Sequence, residues 1–126
     1  MLLELLKAKI HRATVTFTDV DYPGSITIDQ NLLDAAGMLV NEKVLVADCD
    51  NGERFETYVI PGPRGEGTIG VNGAAARLSG IGHKVIILAF VQATPDEAAT
   101  HESRVVLVDE KNRKTEVLTH ASVPSS

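Results

Sequence analysis

Along most of its length the 126-residue chain offers only short β-prone runs, each closed by a turn signal. Residues 7–18 (KAKIHRATVTFT) alternate with period two, which puts Lys7, Lys9 and His11 on one face and Ala8 and Ile10 on the other. After Tyr22-Pro23-Gly24-Ser25 comes a brief ITI run. Val44–Ala47 reads as a strand ending at Asp50-Asn51-Gly52, a strong hairpin signal. The returning strand, 53–60, turns Arg54, Glu56 and Tyr58 to one side and Phe55, Thr57 and Val59 to the other. Thr68–Asn72 is another short strand. Lys84–Val91 is the most apolar run and fits a strand buried on both faces. Arg104–Asp109 and Thr115–Leu118 form a final hairpin, and the loop 61–67 (PGPRGEG) is expected to be exposed and mobile.

Helical signals are few. Asp29 can cap a short helix through Ala36, with Gly37 at its end. Gly73–Leu78 is a small-residue turn or short helix, and Thr94-Pro95-Asp96-Glu97 has a capping box with proline in the first turn. The tail from Thr119, closing with Pro124-Ser125-Ser126, reads as a loose end. Many short strands with few helices predict a mainly β fold, a compact β-barrel carrying helical turns.

The length suits one domain, 1–126. Three Phe, two Tyr and no Trp leave the core to Val, Ile, Leu and Ala. A core of that size is workable alone, and a shared interface would add burial. The net charge of −5 argues against a nucleic-acid partner but leaves room for an acidic substrate held by local cations. The short apolar N-terminus contains Glu4 and suits neither a signal peptide nor a membrane span. Cys49 is the single cysteine, so no internal disulfide can form and a cytoplasmic setting is the default. Flanked by Asp48 and Asp50, it is expected to be structural rather than reactive. His83, His101 and His120 are scattered without metal-ligand spacing, so no metal is assigned.

The chemistry concentrates at Tyr22-Pro23-Gly24-Ser25. Pro then Gly suits a type II turn, and an arbitrary Pro-Gly-Ser is usually nothing more. A serine hydroxyl can nevertheless attack the peptide carbonyl before it, converting amide to ester. A preceding glycine tolerates unusual dihedrals and leaves that carbonyl open, and donors aimed at the oxyanion lower the barrier. Elimination then frees a chain ending at Gly24, and hydrolysis leaves a ketone at residue 25.

Five segments occur in order: KIHRATVT, the YxGS turn, D-Q-x-L-L-D-A-A-G, NGxRFxTY and VNGAAA. Together they resemble the aspartate 1-decarboxylases that self-process to a pyruvoyl enzyme, over roughly residues 1–100. The resemblance implies a double-psi β-barrel, a homotetramer, cleavage into 1–24 and 25–126, and β-alanine production from L-aspartate for pantothenate and coenzyme A. It makes Ser25 the source of the covalent pyruvoyl cofactor and of the Schiff base, and Tyr58 the proton donor. Gly24, Ser25, Thr57 and Asn72 match positions of the processing site. Lys9, His11, Arg54, Thr57, Gly73, Ala74 and Ala75 match positions around the substrate. An accessory maturation factor is compatible with the same family.

The residue chemistry is compatible with these roles. Aspartate carries two carboxylates, and arginine offers a bidentate fork for one. Clamping the α-carboxylate would stabilise the group that must leave as CO2, which favours Arg54 on the side-chain carboxylate. In an ideal ladder Thr57 points away from Tyr58, so a flat strand cannot aim both at one pocket. Pro23, Asp21, Arg77 and His83 depart from the family pattern, as does the chain beyond residue 100. Two alternatives stay open: a non-catalytic β-barrel binding module with an intact turn, and a decarboxylase of another acidic amino acid such as glutamate.

Overall fold

The computed structural model describes residues 1–121. Among these residues nine strands form one mixed sheet in the order β2-β6-β3-β5-β4-β7-β1-β8-β9. They are β1 (Leu3–Thr14), β2 (Phe17–Asp19), β3 (Ser25–Asp29), β4 (Lys43–Asp48), β5 (Arg54–Gly62), β6 (Ile69–Asn72), β7 (Lys84–Ala93), β8 (Glu102–Val108) and β9 (Lys114–Ala121). Two short α-helices, α1 (Gln30–Ala36) and α2 (Pro95–Ala98), and a 3₁₀ helix at Gly73–Leu78 complete the fold. The expectation of a mainly β chain with few helices holds.

The pairing is what makes the sheet close on a core. β3 lies between β5, parallel to it, and β6, antiparallel. β1 runs antiparallel to β7 and parallel to β8. Ala8, Ile10, Ile26, Ile28, Val44, Val46, Val59, Val71, Val85 and Ile87 fill the interior, so branched aliphatics supply the core that the scarce aromatics cannot.

Several boundaries differ from the sequence expectation. The run 7–18 is not one strand. β1 begins at Leu3 and stops at Thr14, after a bulge between Ile10 and Ala13 where Arg12 takes φ 59°. Bending there lets Thr16 bond Ile69 and sends β2 into a parallel ladder with β6. The run Lys84–Val91 is not buried on both faces. Val85, Ile87 and Ala89 are buried, Ile86 and Leu88 are half-buried, and Phe90 and Val91 are exposed, because no layer among the described residues covers the outer face.

Nor is 61–67 a free loop. Pro61 and Gly62 continue β5 against Ile28 and Asp29. Gly65 and Gly67 then donate backbone N–H groups to the buried Asp29 carboxylate at 3.1 and 2.8 Å. Asp29 also caps α1 through Asn31 N–H, and Gly37 ends that helix at φ 72°, as expected. The box at Thr94 and Glu97 forms as well. Of the tail read as loose, Thr119–Ala121 belong to β9, and Pro124-Ser125-Ser126 lie outside the described residues. Cys49 is exposed, in the turn after β4, so it has no structural burial to justify.

Sequence spacing hid one polar cluster. The antiparallel β4–β7 ladder brings Asp48 and Asp50 beside His83, their ligating atoms within 4.8 Å of one another. Protein donors already use those oxygens. Asp48 accepts from Ser79 Oγ at 2.8 Å and from the N–H groups of Asp50 and Asn51, with His83 Nδ1 at 2.7 Å. Asp50 accepts from Lys84 N–H. The cluster fastens the end of the 3₁₀ helix to the β4–β5 hairpin, helped by Asn51 Nδ2 donating to Leu78 O.

The hydrogen bond to Asp48 raises the His83 pKa, opposed by burial and assisted by the charges of Asp48 and Asp50. Burial alone would raise Asp48, but the bonds from His83, Ser79 and the backbone hold it below the ordinary carboxylate range. A raised imidazole contributes stability below its unfolded value and loses it as pH climbs through the folded one. A lowered carboxyl contributes above its unfolded value and loses that as pH falls through the folded one. The pair is therefore strongest between the two. His83→Gln is expected to lower the melting midpoint more at about pH 5.5 than at about pH 9, which thermal denaturation at both pH values measures.

Candidate active site

Ser25 opens β3. Its backbone pairs with Asn72 across the antiparallel β3–β6 ladder, which puts the two side chains on one face. Both are buried. Asn72 Nδ2 donates to Ser25 Oγ at 2.9 Å and to Thr27 Oγ1 at 3.0 Å, so each amide hydrogen has a hydroxyl acceptor. The sequence had marked Ser25 and Asn72; it gave no reason to mark Thr27. Only the ladder, which aligns residues 25 and 27 on one face, reveals it.

The turn itself departs from expectation. Gly24 is not among the glycines with positive φ, so a type II turn is not formed. Residue 25 is already committed to the ladder, and the left-handed conformation falls instead to Gly73, at φ 77°. A Cβ on Gly73 would sit 2.6 Å from Gly24 Cα and 2.8 Å from Gly24 N, so the start of the 3₁₀ helix packs directly on the turn. Around Gly24 itself there is open space where a Cβ would be. Ala74 is exposed and Ala75 half-buried as the same helix continues.

β5 supplies the neighbouring wall. Its parallel ladder with β3 pairs Ile26 with Val59. Carried back along the strands, that register brings Ser25 level with Tyr58 and Gly24 level with Thr57. Tyr58 shares the non-core face with Ser25 and is 39% exposed, so its hydroxyl can meet a ligand. Thr57 is half-buried on the opposite face, opposite Val44, and its hydroxyl makes no hydrogen bond among the described residues. The conflict foreseen for Thr57 and Tyr58 therefore persists for the side chains, although the backbone places Thr57 beside the glycine of the turn.

Arg54 is exposed on the Tyr58 face of β5. Lys9 and His11 also lie on the outer face, but on β1. The ladder runs Glu56–Leu45–Leu88–Lys9 across β5, β4, β7 and β1. Three strand spacings, roughly 14 Å, separate β1 from β5. One chain thus gathers Ser25, Asn72, Gly73 and Tyr58 and leaves Lys9 and His11 apart. Among the described residues, His11 Nδ1 is buried without a partner. Burial first, and then the charges of Lys9 and Arg12, lower the His11 pKa and favour the neutral imidazole.

A buried serine hydroxyl behind an unhindered glycine, with an amide donor on its oxygen, is suited to acyl transfer within the backbone. Comparison with known proteins then gives the family. The family model for aspartate decarboxylase matches residues 1–115, beyond the stretch to residue 100 that the motifs covered. The aspartate 1-decarboxylase of Caldicellulosiruptor saccharolyticus is 59% identical over 113 residues, spanning 90% of this chain and 88% of that protein. That of Chloroherpeton thalassium is 56% identical over 117 residues, 93% of this chain and 86% of that one. That of Neisseria meningitidis serogroup C is 53% identical over 120 residues, 95% and 94% of the two. The chain belongs to the aspartate decarboxylase family, and its mixed nine-stranded sheet agrees with the double-psi β-barrel.

The contact of Gly73 with Gly24 yields a direct expectation. Gly73→Ala combines a left-handed φ with a backbone clash and should cost at least ~1–2 kcal/mol. Urea denaturation against the parent chain measures it, and an unchanged midpoint would contradict the close packing.

Proposed function

We propose that the protein decarboxylates L-aspartate to β-alanine and CO2, using a pyruvoyl group that it makes by cutting itself between Gly24 and Ser25. Family membership supplies the reaction class and the acidic substrate, and leaves no role for a non-catalytic barrel. The observation that carries the self-cleavage is the Ser25 hydroxyl, buried in the β3–β6 ladder with the Asn72 amide on its oxygen.

Ser25 Oγ bonds the Gly24 carbonyl carbon, the Gly24–Ser25 C–N bond breaks, and the hydroxyl proton passes to the released nitrogen. An ester results. Loss of the Ser25 α-proton then expels the Gly24 carboxylate from Cβ and leaves dehydroalanine. Water replaces its nitrogen, ammonia departs, and residue 25 becomes pyruvoyl at the head of 25–126. Asn72 N–H holds Ser25 Oγ in place for the attack, while the negative charge develops on the Gly24 carbonyl oxygen, bonded to the same carbon. Thr57, level with Gly24 along β5, is the residue nearest in register to the scissile carbonyl.

The surroundings of residue 25 fit the group, because Asn72 offers a donor to an oxygen at that position. A pyruvoyl ketone there supplies an electrophile for the substrate amine and a sink for the electrons left by CO2. The chain's own residues do the rest. Arg54 holds the substrate's side-chain carboxylate. Gly73, Ala74 and Ala75 line the pocket with backbone. Tyr58 Oη delivers a proton to the α-carbon once CO2 has gone.

Lys9 and His11 complete the pocket from a second copy of the chain, which accounts for their distance from Ser25 within one. The half-buried Leu45, Ile86 and Leu88, with exposed Phe90 and Val91, give such a copy an apolar surface to cover. A homotetramer in the cytoplasm, supplying β-alanine for pantothenate and coenzyme A, belongs to the same proposal, with a maturation factor as an optional partner. Among the described residues no helix is long and apolar enough to cross a membrane.

Denaturing mass analysis tests the cleavage. The protein should separate into 1–24 and a larger piece blocked to N-terminal sequencing, and Ser25→Ala should stay whole. Tyr58→Phe should still be cut but lose on the order of 10²–10⁴ in turnover. Assays with aspartate and glutamate side by side decide the substrate, and a preference for glutamate would overturn that part.

A further inference from the structure

We infer that Thr27 is a positioning residue for the self-cleavage, holding the Asn72 amide against Ser25 while Gly62 holds Thr27. The inference rests on the cleavage proposed above. Asn72 sits directly opposite Ser25 in the ladder, and Thr27 sits two residues on, opposite Gly70. A primary amide with one satisfied hydrogen can swing about its terminal torsion, which is broad. With both hydrogens engaged, at 2.9 Å on Ser25 Oγ and 3.0 Å on Thr27 Oγ1, the amide plane is fixed by two points.

Thr27 can be the second point because its own rotamer is constrained. As a β-branched residue it is stiff about χ1. Its methyl lies over Gly62, where a Cβ would come within 3.2 Å of Thr27 Cγ2. The missing side chain at 62 makes room for the methyl, and the hydroxyl is thereby turned toward Asn72. A line of contact runs from Gly62 through the Thr27 methyl and hydroxyl to the Asn72 amide and the Ser25 oxygen.

The consequence concerns the proton. An oxygen that accepts from Asn72 keeps its own hydrogen free to leave for the nitrogen of the breaking bond. It is also held in one place, with its other lone pair left for the attack on the Gly24 carbonyl carbon. Without Thr27's hydroxyl the amide can rotate away, and the donor is absent for much of the time.

Thr27→Val keeps the shape and the methyl but removes the hydroxyl, and Thr27→Ala is a second hydroxyl-less variant should valine impair folding. Thr27→Ser keeps the hydroxyl. The full chain is pulse-labelled as it is synthesised, and release of 1–24 is followed by denaturing mass analysis. Both hydroxyl-less variants should cut roughly tenfold more slowly, the worth of one neutral hydrogen bond at the barrier. The serine variant should stay within about threefold of the parent. Valine or alanine cutting at the parental rate or faster would overturn the inference, as would serine as slow as valine. A parent chain that stays whole overturns the cleavage itself and this inference with it, whereas a cut parent with an unaffected Thr27→Val sinks only the inference.

Discussion

The short strand β3 is the element on which the rest turns, because two partners of opposite sense hold it on either side. One face, Ile26 and Ile28, is core. The other, Ser25, Thr27 and Asp29, is polar and yet largely enclosed. Enclosing polar groups is costly unless each finds a partner. Asn72 answers the first two, and the backbone N–H groups of Asn31, Gly65 and Gly67 answer the carboxylate of Asp29. Since β5 and β6 both register on this strand, the positions of Asn72 and Tyr58 beside Ser25 are set by the same ladders that bury Ile26 and Ile28.

A different logic governs the outer face of β1, β7, β4 and β5. There the charged groups lie far apart on a half-covered apolar ground, with Lys43 paired to Glu56 and Lys7 bonded to Glu42 at 2.9 Å. Lys9, His11 and Arg54 are not used in such pairs among the described residues. Lys9 and Arg54, cations kept out of intrachain ion pairs on a surface with exposed Phe90 and Val91, suit the acidic ligand and the second copy proposed above.

Much of this was legible in the residues. The alternation of 53–60 gave the right faces for Arg54, Tyr58 and Phe55, and the caps at Asp29 and Thr94 gave both α-helices. What failed did so for reasons of tertiary context. Period-two alternation continues through Arg12 to Thr18, so nothing local announces the bulge that ends β1. The run of Lys84–Val91 looks wholly interior because hydrophobicity does not distinguish a core from an interface. Pro-Gly at 23–24 suits a turn type that does not form, and the left-handed glycine proved to be Gly73, far away in the chain. The meeting of Asp48 with His83, and of Thr27 with Asn72, depends on strand pairing that no spacing encodes.

The 12-residue β1 has a consequence for the severed form proposed above. Its pairing with both β7 and β8 anchors the first segment at many points distant from the break, and that of β2 to β6 anchors it beside the break. Cutting would leave the folded object intact but change the molecularity of its assembly. The precursor can regain its shape in a first-order process, as any single chain does. Its mature form, once denatured, would depend on the encounter of two separate molecules, so dilution would oppose recovery and endurance would rest on how slowly the fold opens.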